Sequence, residues 1–181
     1  MGYGLIRCAL PITNRDGTAM LGNGRSALAH DKGCYLAVDN CFCTPALQRP
    51  ALLGADIVTH SGTKYLDGQG RVVAGAVCAS SEVVQGKLVP VMRSAGMSLS
   101  PFNAWVVLKG LETLELRAHK QADNALEVAR ALEGRVARML HPGLPSHPQH
   151  ELVKRQMDKA GSVFAFEVDF AWVLFRVFQL A

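Results

Sequence analysis

Cys34-Tyr35-Leu36-Ala37-Val38-Asp39-Asn40-Cys41-Phe42 decides how this chain is read. Residues 34–38 form a short apolar run of the kind that fills a buried parallel strand, and an acid, Asp39, closes it. Working outward, residues 45–53 read as a helix, residues 55–59 as a second strand and residues 72–79 as a third. Strand, helix, strand in that order predicts a right-handed crossover and a parallel sheet covered on both faces, an α/β fold. Ligands of such sheets gather beyond the carboxyl ends of the strands. Asp39 lies at one such end, and His60-Ser61-Gly62-Thr63-Lys64-Tyr65 lies just beyond the next, with Lys64 twenty-five residues after Asp39.

An acid and a hydroxyl-flanked lysine at neighbouring strand ends suit an aldehyde cofactor, pyridoxal 5'-phosphate. That group acts as an electron sink when its ring nitrogen stays protonated and its aldehyde is held as a Schiff base. Asp39 meets the first need and Lys64 the second, while the hydroxyls of Ser61 and Thr63 can donate to a phosphate in the same loop. The lysine must shed a proton to become a nucleophile, which desolvation or a nearby cation favours.

Three runs carry a more specific likeness: Leu36-Ala37-Val38-Asp39-Asn40-Cys41-Phe42-Cys43-Thr44-Pro45-Ala46-Leu47-Gln48, Gly54-Ala55-Asp56-Ile57-Val58, and His60 through Arg71. Together they resemble the cofactor-binding core of the cysteine/methionine-metabolism (trans-sulfuration) family of pyridoxal phosphate enzymes, from about residue 30 to about residue 168. Asp67-Gly68-Gln69-Gly70-Arg71 and Gly143-Leu144-Pro145-Ser146-His147-Pro148-Gln149-His150 are most similar to the sulfhydrylase branch. Its members replace the succinyl group of O-succinylhomoserine with sulfide to give homocysteine. The neighbouring family reactions, cystathionine synthesis from cysteine and cystathionine cleavage by γ-elimination, stay open on these residues.

The resemblance implies the fold-type I aminotransferase-like architecture, with residues 1–117 as part of the cofactor-binding large domain. Residues 118–181 become the connecting helix and the beginning of a small α+β domain. It makes Lys64 the Schiff-base lysine, Asp39 the partner of the pyridinium nitrogen, and Ser61 and Thr63 phosphate ligands. Asn14, at the family's spacing before the acid, is placed against the phenolic oxygen of the cofactor. Family members are longer. Their earlier chain supplies a glycine-containing phosphate helix, a ring-stacking aromatic and a Tyr-x-Arg pair lent to a neighbouring subunit, and their later chain an arginine for the substrate carboxylate. None of these is identified in this sequence, which therefore reads as a fragment whose alternative fate is a catalytically silent partner of a full-length homologue. An amino-acid substrate and a homo-oligomeric state are the further implications.

From residue 81 the chain reads as mostly helical. Ser100-Pro101 opens a long helix in which Trp105, Leu108, Leu111 and Leu114 recur at helical spacing and are assigned to the core. Gly134 closes the helix that follows, and residues 135–140 and 162–168 read as strands flanking a helix over 151–159.

At 181 residues, 49% hydrophobic and 19% charged, the chain can bury a sizeable core. Its net charge of +4 comes from nineteen scattered basic residues without an aromatic-interleaved stripe, which argues against a nucleic-acid partner. Cys8, Cys34, Cys41, Cys43 and Cys78 are odd in number and lack paired zinc spacing, and the first residues lack a signal peptide's basic and apolar regions. Reduced thiols and a cytoplasmic location are expected. His141, His147 and His150 are read as loop histidines rather than a metal site. Residues 170–181 are apolar but fall short of the roughly 20 clean residues of a membrane span, and are expected to be sticky.

Overall fold

The computed structural model describes residues 5–8 and 23–168. Asn14 and the apolar tail lie outside the described residues. Strand β1 (Leu5–Cys8) and helix α1 (Asn23–Asp31) lead into β2 (Tyr35–Asp39), which pairs in parallel with β1 on one side and with β3 (Ile57–Ser61) on the other. Alternate residues of β2 and β3 are buried, so Leu36 and Val38 pack with Ala29 of α1 while Val58 and His60 point inward from β3. The acid therefore does end a buried strand.

Three expectations are corrected. The helix over 45–53 is two pieces, α2 (Thr44–Leu47) and a single 3₁₀ turn at Pro50–Leu53. A residue before proline is driven out of the helical region, and Arg49 sits at φ −124°, ψ 81°. The third strand, β4 (Gly75–Ala79), runs antiparallel to β3, with Ser61 opposite Gly75. Between them lie only a π turn and a loop, with no crossover helix to return the chain in parallel. Nor is the sheet covered on both faces there, since four of the five β4 residues are exposed.

The chain continues through α3 (Ser81–Val83), a π turn and α4 (Val89–Ala95) to α5 (Pro101–Leu111), whose first turn is capped as the sequence predicts by Ser100 Oγ accepting from Asn103 N. Its core face is the third correction: Trp105 and Leu108 are 52% and 57% exposed and Leu111 is exposed too. Val106 and Gly110 are the buried positions of α5, and Leu114 is buried only because it opens the next helix, α6 (Leu114–Leu132). The cause is Gly110. With no side chain, it lets α5 lie on the backbone of Leu66 and Asp67, which turns the stripe of large residues away.

Helix α6 ties the molecule together. Ala118 and Ala122 pack against Cys43 and Leu47 beside α2 and against Val153 and Met157 of the segment around α7 (His150–Gln156), while Ala125 and Ala129 continue the same buried stripe. Small side chains let these elements approach closely. Gly134, at φ 79°, follows the helix as expected. Short strands β5 (Arg138–Leu140) and β6 (Ala165–Glu167) then pair antiparallel on either side of α7.

Candidate active site

The two parallel strands bring the sequence's chosen residues to one edge of the sheet. Asp39, the last residue of β2, stands in register with Thr59, and β3 ends two residues later at Ser61. Beyond it the chain winds a single π turn, Gly62–Leu66, with Lys64 in its middle at φ −92°, ψ −115°, outside both the helical and the extended regions. Gly62 N donates to Ala74 O at 2.7 Å, and an added Cβ there would lie 2.6 Å from the Ala74 Cβ. Only glycine lets the loop turn so tightly against the approach to β4.

After Asp39 the backbone turns under the control of Asn40. This buried amide donates to Thr44 O at 3.1 Å and to Gln48 O at 2.9 Å, fixing the segment that leads into α2. Thr44 takes a φ of 59°, which non-glycine residues rarely adopt. One oxygen of the Asp39 carboxylate accepts from Cys41 N at 3.0 Å, and among the described residues no basic side chain pairs with it. The Lys64 side chain is exposed and its Nζ lies 4.4 Å from the centre of the Phe42 ring, three residues after the acid. Phe42 in turn meets Tyr65 edge to face at 6.5 Å.

The amine thus stands over the turn that follows the acid. The Cys41 thiol feels both: burial, then hydrogen bonding and repulsion from Asp39, push it up to about 11, against the opposing pull of Lys64 and the Ser61 backbone. Burial alone pushes Cys43 up to about 12. Both sulfurs stay as thiols near neutral pH.

The hydroxyls differ. Thr63 Oγ1 accepts from Ala74 N at 3.1 Å and donates along a long 3.4 Å contact to Ala74 O, so serving a phosphate means giving up that weaker bond. Ser61 is half-buried at the strand end, with its hydroxyl unclaimed among the described residues. Charge balance, a primary amine near a carboxylate without a basic partner among the described residues and hydroxyls at the loop, fits an aldehyde carrying a basic ring nitrogen and a phosphate.

Sequence reasoning missed the supports of this site. The buried Asp67 carboxylate accepts from Arg71 N at 2.8 Å, from Arg71 Nε at 2.9 Å and from an Arg71 terminal nitrogen at 2.7 Å, closing the loop after the lysine. Tyr65 Oη lies 2.8 Å from Ser162 Oγ, ninety-seven residues away. The four-residue spacing of Asp67 and Arg71 was a usable signal; nothing local foretold Ser162. The three loop histidines serve the backbone around them, since the rings of His141 and His147 accept from Gly143 N and Gln149 N and His150 Nδ1 donates to Pro142 O. A cleft of 490 Å³ lined by Arg130, His141 and His150 shares no lining residue with the Asp39 and Lys64 cluster.

Comparison with known proteins bears on the same residues. Residues 24–177 match the family described as Cys/Met metabolism PLP-dependent enzyme. The chain belongs to this family. Members depend on pyridoxal phosphate, and the match reaches beyond Val168, where the resemblance had been expected to stop. An O-succinylhomoserine sulfhydrylase of Pseudomonas aeruginosa is 53% identical over 151 residues, covering 80% of this chain and 37% of that protein. An L-methionine gamma-lyase of Porphyromonas gingivalis is 46% identical over 145 residues, covering 78% of this chain and 36% of its own length. Among solved structures, the cystathionine gamma synthase of Xanthomonas oryzae pv. oryzae, in complex with aminoacrylate and cysteine, superposes with a TM-score of 0.80 at 38% identity over 86% of this chain and 41% of that one. The α/β architecture with its mixed sheet is that of these fold-type I relatives. This family member spans little more than a third of the length of the curated relatives it matches. No helix among its described residues is long and apolar enough to cross a membrane.

Proposed function

We propose that the chain carries the central cofactor site of an enzyme that replaces the succinyl group of O-succinylhomoserine with sulfide, yielding homocysteine and succinate. One observation carries the reading: Asp39, whose carboxylate meets no basic side chain among the described residues, and an exposed amine, Lys64, lie at the carboxyl edge of adjacent parallel strands. The 53% identity to a sulfhydrylase supports this branch over the lyases and cystathionine synthases of the same family.

Lys64 Nζ is the atom that would hold the aldehyde, Asp39 would keep a proton on the ring nitrogen, and Ser61 and Thr63 would donate to the phosphate. Asn14 is assigned to the phenolic oxygen. Pyridoxal phosphate supplies, when bound, a sink for the electrons left as bonds at the α-carbon break. Lys64 Nζ takes and returns protons at the α- and β-carbons of the substrate while succinate leaves the γ-carbon and sulfide takes its place. Cysteine in the place of sulfide would use the same residues to make cystathionine. Residues 1–117 are assigned to the large domain and 118–181 to the connecting helix and small domain, a boundary that α6 crosses unbroken. A cytoplasmic setting and assembly with further copies complete the proposal.

The test is spectroscopic first. Purified chain mixed with pyridoxal phosphate should gain a visible absorbance that the free aldehyde lacks, and Lys64→Ala should abolish it. Identical spectra from the two proteins would overturn the cofactor assignment. Homocysteine released from O-succinylhomoserine and sulfide, and not cystathionine from cysteine, then decides the branch. Cofactor capture without product from either nucleophile favours instead a silent partner of a longer homologue.

A further inference from the structure

Arg117 stands in the first turn of α6 and directs its guanidinium away from solvent into the lysine loop. Nε donates to Thr113 Oγ1 at 3.0 Å, one terminal nitrogen to Tyr65 O at 2.9 Å, and the other to Gly110 O at 2.8 Å with a long contact to Leu66 O at 3.5 Å. Among the described residues no carboxylate pairs with it. Both terminal nitrogens are therefore spent on backbone carbonyls, two of which belong to the residues immediately after Lys64. The approach has been cleared for it: a Cβ on Gly68, where φ is 73°, would sit 2.1 Å from an Arg117 nitrogen, and one on Gly110 would sit 2.3 Å from Leu66 O. Lys64 meanwhile interrupts the helical run of the loop, at φ −92° and ψ −115°.

We propose that Arg117 is a positioning residue for Lys64. It touches neither cofactor nor substrate; by orienting the peptide planes of Tyr65 and Leu66 from the helix that joins the two halves of the chain, it sets the Lys64 backbone so that Nζ reaches the Asp39 turn. The inference rests on Lys64 being the cofactor lysine.

Two variants of the full chain test it. Arg117→Met removes every donor at similar length, and Arg117→Lys restores up to three donors on a flexible stem. Amide hydrogen exchange across residues 62–70 is compared with exchange in β2, and pyridoxal phosphate captured on Lys64 is fixed with borohydride and counted by peptide mass against capture on other lysines. Arg117→Met should speed exchange at 62–70 about tenfold or more and leave β2 unchanged, as loss of charge-assisted hydrogen bonds at one place requires. It should also cut the share captured by Lys64 about tenfold, with Arg117→Lys recovering part of both effects. Unchanged capture at Lys64 would overturn the proposal. So would uniform loosening of every segment that lysine fails to rescue, because Arg117 would then be a general stabiliser. If the wild-type chain captures no cofactor at Lys64, the cofactor assignment fails, and the exchange comparison alone decides whether Arg117 holds the loop.

Discussion

A lysine that serves as a nucleophile must be reachable by its partner yet unable to wander, and Lys64 meets both demands through different atoms. Its side chain is exposed above Phe42, while its backbone is held by neighbours in the loop. Asp67 is the most constrained of these. Hydrogen bonds from the Arg71 backbone and guanidinium hold its carboxyl below the usual carboxylate range despite its burial. A carboxylate with a depressed pKa in the folded state contributes stability that is fully present above its unfolded value, about 3.9, and is lost as pH falls through the folded value. Asp67→Asn should therefore be less stable than wild type near neutrality, with the gap closing as pH drops below about 4. Urea midpoints of the two proteins across that range check it; a gap that stays constant in acid would show that the charge of Asp67 is irrelevant. At this scale the position of Asp39 and Lys64 at neighbouring strand ends was legible because an acid and a lysine there are conspicuous by type. Phe42 and Arg117 were not, because a cation above a ring and a guanidinium against carbonyls are made across the fold and leave no spacing in the chain.

Elements were readable where local chemistry decides them and misread where packing does. The strands around Leu36 and Val58 and the Ser100-Pro101 start of α5 follow from alternation and capping. The outward face of α5 does not, since helical spacing marks Trp105, Leu108 and Leu111 as a stripe without saying which side finds a partner. Gly110 settles that side by closeness to Leu66 and Asp67, information absent from any apolar pattern. Two alanine substitutions expose the difference. Gly110→Ala gains about 1 kcal/mol of helix propensity but forces a methyl against backbone, which costs about 1–3 kcal/mol, so a lower thermal midpoint is expected. Gly86→Ala, where an added Cβ meets nothing within 4 Å, should instead raise the midpoint through about 0.4–1 kcal/mol of lost chain entropy in the unfolded state. Equal shifts from both would refute close packing of α5 on the lysine loop.

The described residues form two sheets joined through α6, and each half holds histidines whose pKa the fold lowers. Burial is the main force depressing His60 of β3 and His141 and His147 in the loop after β5, with His147 and Arg130 adding to it at His141 and His150 at His147. Backbone contacts with Asn40 at His60 and with Gly161 at His141 oppose this, while one hydrogen bond at each loop ring reinforces it. Gly143 N donates to His141 Nδ1 and Gln149 N to His147 Nδ1, so a second proton on either ring would set a donor against a donor. An imidazole whose folded pKa lies below its unfolded value, about 6.5, makes the unfolded chain the better proton binder, so stability rises with pH through that interval. Acidification from about pH 7.5 to about 5.5 should thus lower the thermal midpoint by about 2–4 °C, the response of a chain this size to a change on the order of 1 kcal/mol. The carboxylates held low by their partners, Asp67, Asp123 and Glu151, titrate below this window and do not contribute to it. His141→Asn keeps an acceptor near Gly143 without a titrating ring; it should be less stable than wild type at pH 7.5 yet show a shallower decline. A midpoint that holds or climbs on acidification in the wild type would remove the buried imidazoles as the source of acid sensitivity, and an identical decline in the variant would remove His141 from among them.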